Sequence, residues 1–500
     1  MRYSIILVSI IFISKASWSQ QGFNRKYDLG AAVSFSQIMW VGGDMLAVYG
    51  IGYDKDSLPD KQGLVFAKVD TNGQVHNYRI FHDSLGDDYT MLPPGSFIKL
   101  QNGSGYALMA QLVSRLNGVI LVLDNDSHPI SLAEFSDTIS KTRIYYKLLE
   151  SNSSFYLSGM KERPNNKIEL FVSRVDKKGN QIWEKFYGVS NREVSISDII
   201  KINENELVIG SGTISLIGTP PSKEQYTSKI FAIDSLSNIK WTWESLQSKE
   251  EGGAGSLYKS PEGYWYYKSF RCEYNAAKNE SYVQPKFIKR DSNFNLIFEK
   301  TVGVPNSLYN RFYYAAPMQN GDWLAAGSVL KDEKTLAGWM YRLNNAGDSL
   351  WSRMDTAQAS GPIFAENYLY SAAELPSGSI VACGYSQRFD EPTFWGWLIK
   401  VDQNGCIDTL SCTPMSSTQV EKLAGRLKLY PNPAQALVHF ADEDQIVWDK
   451  IEVVDAAGQV LSTLIKPTGN DIDLSGLGPG AYFIRFLKSD KYVVKPIIKL

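Results

Sequence analysis

Histidine is scarce in this chain, with only four among its 500 residues: His76, His82, His128 and His439. No two of them have the spacing His-x-x-x-His, and none lies in a cysteine and histidine cluster. A zinc centre needs three or four such ligands. The sequence also lacks a Gly-x-Ser-x-Gly motif and a phosphate-binding loop. It therefore predicts no catalytic residue, no cofactor-binding residue and no metal ligand.

An excess of charge is lacking too, because 51 basic and 53 acidic residues leave a net charge of −2. No basic run with interleaved aromatic residues occurs. Nucleic-acid binding depends on basic side chains that neutralise phosphates, so no nucleic-acid partner is predicted. Beyond residue 19 no apolar run is long enough for a transmembrane helix, which needs about 20 residues.

The chain does contain a short phrase that recurs seven times, in which an apolar run ends at Asp or Asn. In four copies Gly follows three residues later, and in four copies a large aromatic follows seven residues later. Such a repeat indicates one supersecondary unit copied many times. The Asp or Asn positions are Asp70, Asp124, Asp176, Asp234, Asp291, Asn344 and Asp402, and the aromatics are Trp183, Trp241, Phe298 and Trp351.

Each repeat contains short runs of aromatic and β-branched residues bounded by Gly, Asn, Ser and Asp, which is typical of strands and hairpin turns. Asp can bond its own backbone in a tight turn, and Gly adopts positive φ there without strain. No long stretch has the 3.6-residue period of an amphipathic helix. Four strands fit into about 55 residues, the length of one propeller blade. We therefore predict an all-β fold with a seven-bladed β-propeller over residues 20–412.

The seventh repeat lacks the aromatic outer strand that should follow its Asp phrase. Instead, the chain after Gly405 runs into a segment that ends at Cys412. Near the N-terminus, the segment 23–27 resembles the aromatic segment 183–187. We expect residues 21–30 to supply the missing strand of the last blade and so to cover an open sheet edge.

Four cysteines fit an exported protein with few disulfides. Cys406 and Cys412 lie close together in one loop, and we predict that they form a disulfide. Cys272 and Cys383 occupy corresponding apolar runs of the fifth and seventh repeats. Two blades apart, they should exceed the Cα separation of about 7 Å that a disulfide allows, so we expect free buried thiols.

Residues 1–19 are typical of a secretory signal peptide. Arg2 gives a positive start, the apolar run 5–13 is too short to span a bilayer, and small residues precede a cleavage site between Ser19 and Gln20. Residues 413–425 are polar and without periodicity, and we interpret them as a linker.

The last segment, residues 426–500, alternates in short strands that fit a small β-sandwich. Its distinctive residues are Tyr430, Pro431, Asn432, Pro433, Gly458, Gly480, Tyr482 and the basic, apolar terminus from Lys495. These motifs resemble those of the type A C-terminal sorting domain of the type IX secretion system of Bacteroidetes. The resemblance implies contact with that secretion machinery, passage across the outer membrane, removal of this domain, and then release or attachment to the cell surface.

Several weaker patterns have a structural interpretation that we favour. Ser256 and Lys259 match the Ser-x-x-Lys pattern of a nucleophile, yet they fall in a predicted strand or turn. The acidic segments 54–60 and 124–126 lack the full EF-hand spacing and suit solvated turns. The pairs 87–88 and 250–251 are adjacent, and neighbouring strand residues point opposite ways, unlike glycosidase carboxylates. The aromatic run 264–267 fits blade packing better than sugar stacking.

Asp followed by Ser or Thr and then an apolar residue or Thr recurs along the chain and looks like the O-glycosylation motif of exported Bacteroidetes proteins. The alternative is turn chemistry, because Asp-Ser also begins turns. The hydroxyl residues of this motif are Ser57, Ser84, Thr138, Ser235, Ser349, Thr356 and Thr409.

Our leading functional hypothesis is an exported, non-enzymatic propeller that acts as a binding module, on the cell surface or secreted, for an unknown protein or glycan ligand. One alternative is a propeller hydrolase or lyase acting on polysaccharide. Another is a structural or adhesive surface protein.

Overall fold

The computed structural model is all-β, with 36 strands and no helix in the part of the chain that it describes. The chain divides into two compact units, residues 1–412 and 413–500. The signal segment 1–19 and the linker 413–425 lie outside the described residues. Those residues are 22–54, 61–90, 92–135, 142–162, 168–188, 193–217, 223–246, 252–275, 280–303, 307, 309–358, 363–391, 393–407, 427–442, 447–455, 460–465, 467, 469–488 and 491–500.

Five consecutive antiparallel sheets make up the first unit as far as residue 301, and each follows the chain order from its first strand to its last. The first sheet holds β2 (Ala31–Gly42), β3 (Met45–Asp54), β4 (Gln62–Asp70) and β5 (Val75–Phe81). The second holds β6 (Tyr89–Thr90) and β7 (Phe97–Lys99), which both pair with β8 (Gly105–Leu112), then β9 (Gly118–Asp124) and β10 (Pro129–Phe135).

The next three sheets have four strands each. The third holds β11 (Thr142–Glu150), β12 (Ser154–Glu162), β13 (Ile168–Asp176) and β14 (Gln181–Tyr187). The fourth holds β15 (Glu193–Asn203), β16 (Glu206–Ile217), β17 (Lys223–Ile233) and β18 (Ile239–Glu244). The fifth holds β19 (Gly255–Lys259), β20 (Trp265–Asn275), β21 (Glu280–Arg290) and β22 (Leu296–Thr301).

An eight-stranded sheet completes the first unit. The backbone pairing between its two halves consists of two parallel residue pairs, which join β25 (Thr335–Leu343) to β27 (Ala365–Glu374). Apart from this link, each half has the strand order of one of the preceding sheets. One half holds β23 (Asn310–Pro317), β24 (Trp323–Asp332), β25 (Thr335–Leu343) and β26 (Ser349–Asp355). The other holds β27 (Ala365–Glu374), β28 (Ile380–Arg388), β29 (Phe394–Val401) and β1 (Phe23–Tyr27).

Strand β1 confirms the expected pairing of the N-terminal segment with the last repeat. It runs antiparallel to β29, with Phe23 opposite Lys400 and Tyr27 opposite Gly396. The indole Nε1 of Trp397 also donates to Asn24 Oδ1 at 2.7 Å. The edge of β29 is therefore covered by a strand from the other end of the unit. The total of seven blades stays a prediction.

The burial of a strand depends on its position within the sheet. The middle strands β8 and β25 are buried along their whole length, whereas the last strands β5 and β18 are mostly exposed. Fully buried strands read as continuous apolar runs rather than as alternating patterns. The apolar runs of the repeat are therefore the middle strands, and the aromatic segments after the Asp phrase are the outer ones.

The repeated aromatics join neighbouring sheets. A Cβ on Gly347 would lie 2.7 Å from the Phe298 ring of the preceding sheet, and one on Gly405 would lie 2.9 Å from Trp351. Trp183 Nε1 likewise donates to the carbonyl of Ser235 in the next sheet, at 3.1 Å. Glycine has two roles in these turns. It adopts positive φ without strain, and the absence of a side chain leaves room for the neighbouring ring.

The C-terminal unit contains two sheets that share one hydrophobic core, to which Phe440 and Phe486 contribute from opposite sheets. A sandwich arrangement stays a prediction. One sheet holds β30 (Leu427–Tyr430), β31 (Leu437–Asp442) and β34 (Asp471–Asp473). The other holds β33 (Val460–Ile465), β32 (Lys450–Val454), β35 (Gly480–Lys488) and β36 (Lys491–Lys499).

Candidate binding site in the inner cavity

The Asp or Asn of the repeat is used in all seven copies to build a turn. Its side-chain oxygen accepts N–H bonds from the residues two and four positions later, at 2.8–2.9 Å. The residue three positions later has φ between 64° and 90°. In three copies an Asn amide is the largest cause of a lowered aspartate pKa, namely that of Asp176, Asp234 and Asp291. The carboxylates of these turns are therefore held by hydrogen bonds to nearby backbone N–H groups.

A cavity of about 330 Å³, which we call the inner cavity, is lined by one early strand from each of six sheets: β2, β7, β11, β15, β19 and β23. Five of these strands have a β-bulge where they meet it: β2, β11, β15, β19 and β23. A bulge interrupts the alternation of side chains and turns one or two of them in a new direction. The bulges therefore bring polar and aromatic side chains to a surface that regular strands would line with alternate residues only.

Asp198 joins three sheets at one end of this cavity. Its carboxylate pairs with Lys147 of β11 and accepts the backbone N–H of Leu257 in β19 at 2.7 Å. It also accepts the N–H of Ile199 at 2.8 Å. Both oxygens of this buried carboxylate therefore accept hydrogen bonds, and these bonds hold strands of three sheets together.

Gln37 makes an equivalent connection between the first two sheets. Its amide nitrogen donates to the carbonyl of Phe97 at 2.8 Å, and its oxygen accepts the N–H of Gly95 at 2.8 Å. The Leu148 N–H donates to the carbonyl of Gly95 at 2.8 Å, which extends the connection to the third sheet.

Lys268 of β20 is the second cation at the cavity. Its ammonium donates to the backbone carbonyl of Phe312 in the next sheet. Among the described residues no carboxylate forms an ion pair with it. Burial lowers the pKa of Lys268 to about 8, although the charge of Asp198 acts in the opposite direction. The cavity wall therefore carries a cation whose charge is not locally balanced.

Tyrosine rings continue from the cavity along β27 and β28. The Tyr313 ring lies 4.9 Å from that of Tyr370, and Tyr368 stacks on Tyr385 at 5.1 Å. The Tyr385 hydroxyl donates to Glu366 at 3.4 Å. Burial and the Glu366 charge raise the pKa of Tyr368 and Tyr385. Both hydroxyls stay protonated and can donate hydrogen bonds.

Most of the weaker sequence candidates have structural positions. Ser256 lies at the bulge of β19 with φ 50°, whereas Lys259 is exposed and its ammonium lies 4.8 Å from the Trp265 ring. Asp87 accepts the N–H groups of Ser114 and Arg115 at 3.0 and 3.1 Å, which contribute to its lowered pKa although burial acts against them. Asp87 thus stabilises a loop, whereas Ser256 is one of the residues that line the inner cavity.

The structure describes some of the remaining acidic and aromatic candidates. Asp124 is one of the repeat turns, and no group of three or more potential metal ligands occurs in the described part of the chain. Of the run 264–267, Trp265, Tyr266 and Tyr267 are buried in the core. The segments 55–60 and 247–251 lie outside the described residues.

Cys383 is a free, buried thiol, as expected. Cys406 is buried and disulfide-bonded, while Cys412 and the side chain of Cys272 lie outside the described residues. The Cys406–Cys412 pairing therefore stays a prediction. The glycosylation proposal also stays untested. Of its residues, Ser84 and Ser349 are exposed and Ser235 and Thr356 are half-buried, while Ser57, Thr138 and Thr409 lie outside the described residues.

In the C-terminal unit, Asn432 fastens the last strand. Its amide donates to the carbonyl of Pro496 at 3.1 Å, and its oxygen accepts the N–H of Ile498 at 3.0 Å. The Tyr482 hydroxyl donates to the carbonyl of Gly478 at 2.9 Å. Tyr430 is half exposed, and Pro431, Pro433, Gly480 and Lys495 lie in the same unit, whereas Gly458 lies outside the described residues.

Sequence motifs predicted the turns and the C-terminal unit but not the inner cavity. Asp198 and Lys268 fall in different repeats and match no short motif. One feature of the sequence pointed to Lys268. It directly follows the aromatic run 264–267, and a lysine is unusual in a strand that packs into a core.

Comparison with known proteins identifies the C-terminal unit. Residues 428–500 match the family described as the secretion system C-terminal sorting domain. No curated protein matches the chain. No helix among the described residues has the length and apolar character that crossing a membrane requires.

Several solved structures are similar to the chain, at low sequence identity and with low TM-scores. The β-propeller domain of the Trilobed protease from Pyrococcus furiosus is 11% identical, with 73% of this chain and 95% of that chain covered and a TM-score of 0.37. Drosophila Plexin A in complex with Semaphorin 1b is 8% identical, with 76% and 86% covered and a TM-score of 0.37. Synechocystis apocarotenoid oxygenase is 9% identical, with 66% and 73% covered and a TM-score of 0.37. The sorting tail thus marks this all-β protein with propeller-like sheets as cargo of the type IX secretion system, exported for secretion or surface attachment.

Proposed function

We propose that the protein is an exported, non-enzymatic binding module that takes its ligand into the inner cavity. In this proposal residues 1–19 are a signal peptide cleaved between Ser19 and Gln20, and residues 20–412 form a seven-bladed propeller. Residues 413–425 are a linker, and residues 426–500 are a sorting domain with a sandwich fold.

The observation that carries the proposal is the composition of the cavity wall. Tyrosines and polar side chains from five sheets meet there beside apolar residues of a sixth, and this mixture of apolar, aromatic and a few polar groups is the usual lining of a small-molecule site. Asp198 is the one acidic residue among the described residues that line it, and its oxygens are already bonded. Glycoside hydrolysis generally needs two carboxyl groups facing each other across the bond. The wall therefore favours binding over hydrolysis.

A glycan array and a hydrolysis screen on the exported protein test this proposal. The variant Ala316→Trp places an indole in the cavity, because Ala316 lines it. The matched control is Gln319→Trp, three residues further along and exposed. We expect binding that Ala316→Trp abolishes and Gln319→Trp preserves, with thermal melting showing that both variants fold.

Two outcomes would contradict the proposal. Equal binding by both variants would place the ligand elsewhere on the protein. Turnover of a polysaccharide that Ala316→Trp abolishes would show an enzyme in the same cavity.

A further inference from the structure

Lys268 is half-buried, lines the inner cavity, and donates to a neutral backbone carbonyl. Lys161 and Lys286, which are more deeply buried, pair with Glu184 and Glu299 at 3.4 and 3.3 Å. A buried charge is costly unless an opposite charge or several dipoles compensate it. The cavity therefore has a position where an anion would be stabilised.

Asp198 does not fill this position. Its charge acts on Lys268 through space, but its oxygens are bonded to Lys147 and to two backbone N–H groups. With Lys147 neutralised by Asp198, the remaining local charge is that of the Lys268 ammonium. The same wall carries the aromatic side chains of Tyr258 and Tyr313.

We propose that the inner cavity binds a sugar-sized ligand that carries a carboxylate, of the uronate class, with its carboxylate paired to Lys268. This inference rests on the proposed function and adds the charge and class of the ligand. Ammonium–carboxylate bonds are about twice as strong as neutral hydrogen bonds. Tyrosine rings pack on the apolar face of a sugar while their hydroxyls bond its oxygens.

The pairing makes binding depend on pH. The free site has a Lys268 pKa of about 8, and a bound carboxylate raises it because the opposite charge favours the protonated amine. Below pH 8 the site is charged with or without ligand, and affinity is constant. Above pH 8 binding takes up a proton, and affinity falls by about tenfold per pH unit until the raised pKa is reached. The other titratable groups that face this wall are Tyr146 and Lys147 on β11, Asp198 on β15, Tyr258 on β19, and Tyr313 and Tyr314 on β23.

Isothermal titration of the exported protein tests the proposal with glucuronate and galacturonate as probes, and with glucose and galactose as neutral counterparts. We expect the uronates to bind, with affinity reduced about 30-fold by Lys268→Met and largely kept by Lys268→Arg. The control Lys400→Met removes another buried lysine that donates to a carbonyl, that of Thr71 at 2.7 Å. Because Lys400 is not among the residues that line the cavity, that control should bind like the parent.

Titration of Lys268 by NMR gives an independent measurement that does not require the natural ligand. Its pKa should rise when glucuronate is added at saturating concentration and stay unchanged with glucose. Unchanged uronate affinity in Lys268→Met, or an unchanged Lys268 pKa, overturns the proposal. Neutral glycans that bind and are lost in Ala316→Trp alone would keep the proposed function and reject the anionic ligand. Acetate that binds as well as the uronates would reject the sugar part of the proposal.

Discussion

Asp176, Asp234 and Asp291 occupy equivalent turns in three consecutive sheets. Each accepts two backbone N–H groups and the side-chain amide of the Asn four residues later. Such bonds favour the ionised form, which explains the lowered pKa of each carboxylate. The sixth copy has Asn344 at this position and makes the same backbone bonds without a titrating group.

This arrangement predicts a loss of stability in acid. A carboxyl whose pKa is lower in the folded than in the unfolded chain contributes stability above the unfolded value of about 3.9, and this stability is lost as pH falls through the folded value. We therefore expect the urea midpoint to be constant from pH 7 to 5 and to fall below pH 4. In Asp234→Asn the fall should be smaller, since that turn no longer titrates. An acid transition identical to that of the parent would contradict this role of Asp234.

The turns were predictable because all their bonds are local. Asp at one position and a residue tolerant of positive φ three positions later specify the turn within five residues. The cavity side chains were not predictable, because Lys268 and Asp198 reach the cavity through bulges and the packing of sheets far apart in sequence. Phe294 shows the limit of the local rule. It occupies the glycine position with φ 64°, and its ring stacks on Trp243 at 5.0 Å.

At the level of elements, β1 is the strand whose loss should matter most. It supplies five backbone pairs to β29, and Tyr27 donates through its hydroxyl to the carbonyl of Gly73 at 2.8 Å. Phe23 and Tyr27 also belong to the core between β2 and β28. In sequence this segment resembles the outer strand of an inner repeat, the segment 183–187. Its partner was identified only by the missing strand of the seventh repeat.

Deleting residues 20–30 should therefore expose the edge of β29 and a part of the core. An uncovered edge pairs readily with other chains, so we expect a lower melting temperature and aggregation measured by light scattering. Arg25→Gln changes an exposed residue of the same strand and serves as the control. A deletion variant that melts like the parent and stays monomeric would show that β1 is dispensable.

At the level of the whole molecule, two units with separate cores share one chain. Each core can be buried without the other, which is the ordinary condition for independent folding. The sorting tail directs export, whereas the inner cavity belongs to the first unit. In the proposed function, delivery and binding are therefore carried by different parts of the sequence.

Removing residues 426–500 should separate these two roles. The truncated protein should still unfold in one cooperative transition, followed by circular dichroism, because the first unit keeps its own core. In the native host it should remain in the periplasm, as measured by cell fractionation and immunoblotting. Normal amounts of truncated protein outside the cell would contradict the role of the tail.

The position of β1 also has a consequence for timing. Strand β1 emerges from the ribosome long before its partner β29, since the bond from Trp397 to Asn24 spans 373 positions. Contacts so distant in sequence form late and slow the folding of a chain. The five sheets and the first half of the eight-stranded sheet lie between these two strands in sequence. They can form while the backbone of β1 is still unpaired. The first unit is therefore completed only after nearly all of its own residues have been synthesised, and until then β1 has no partner strand.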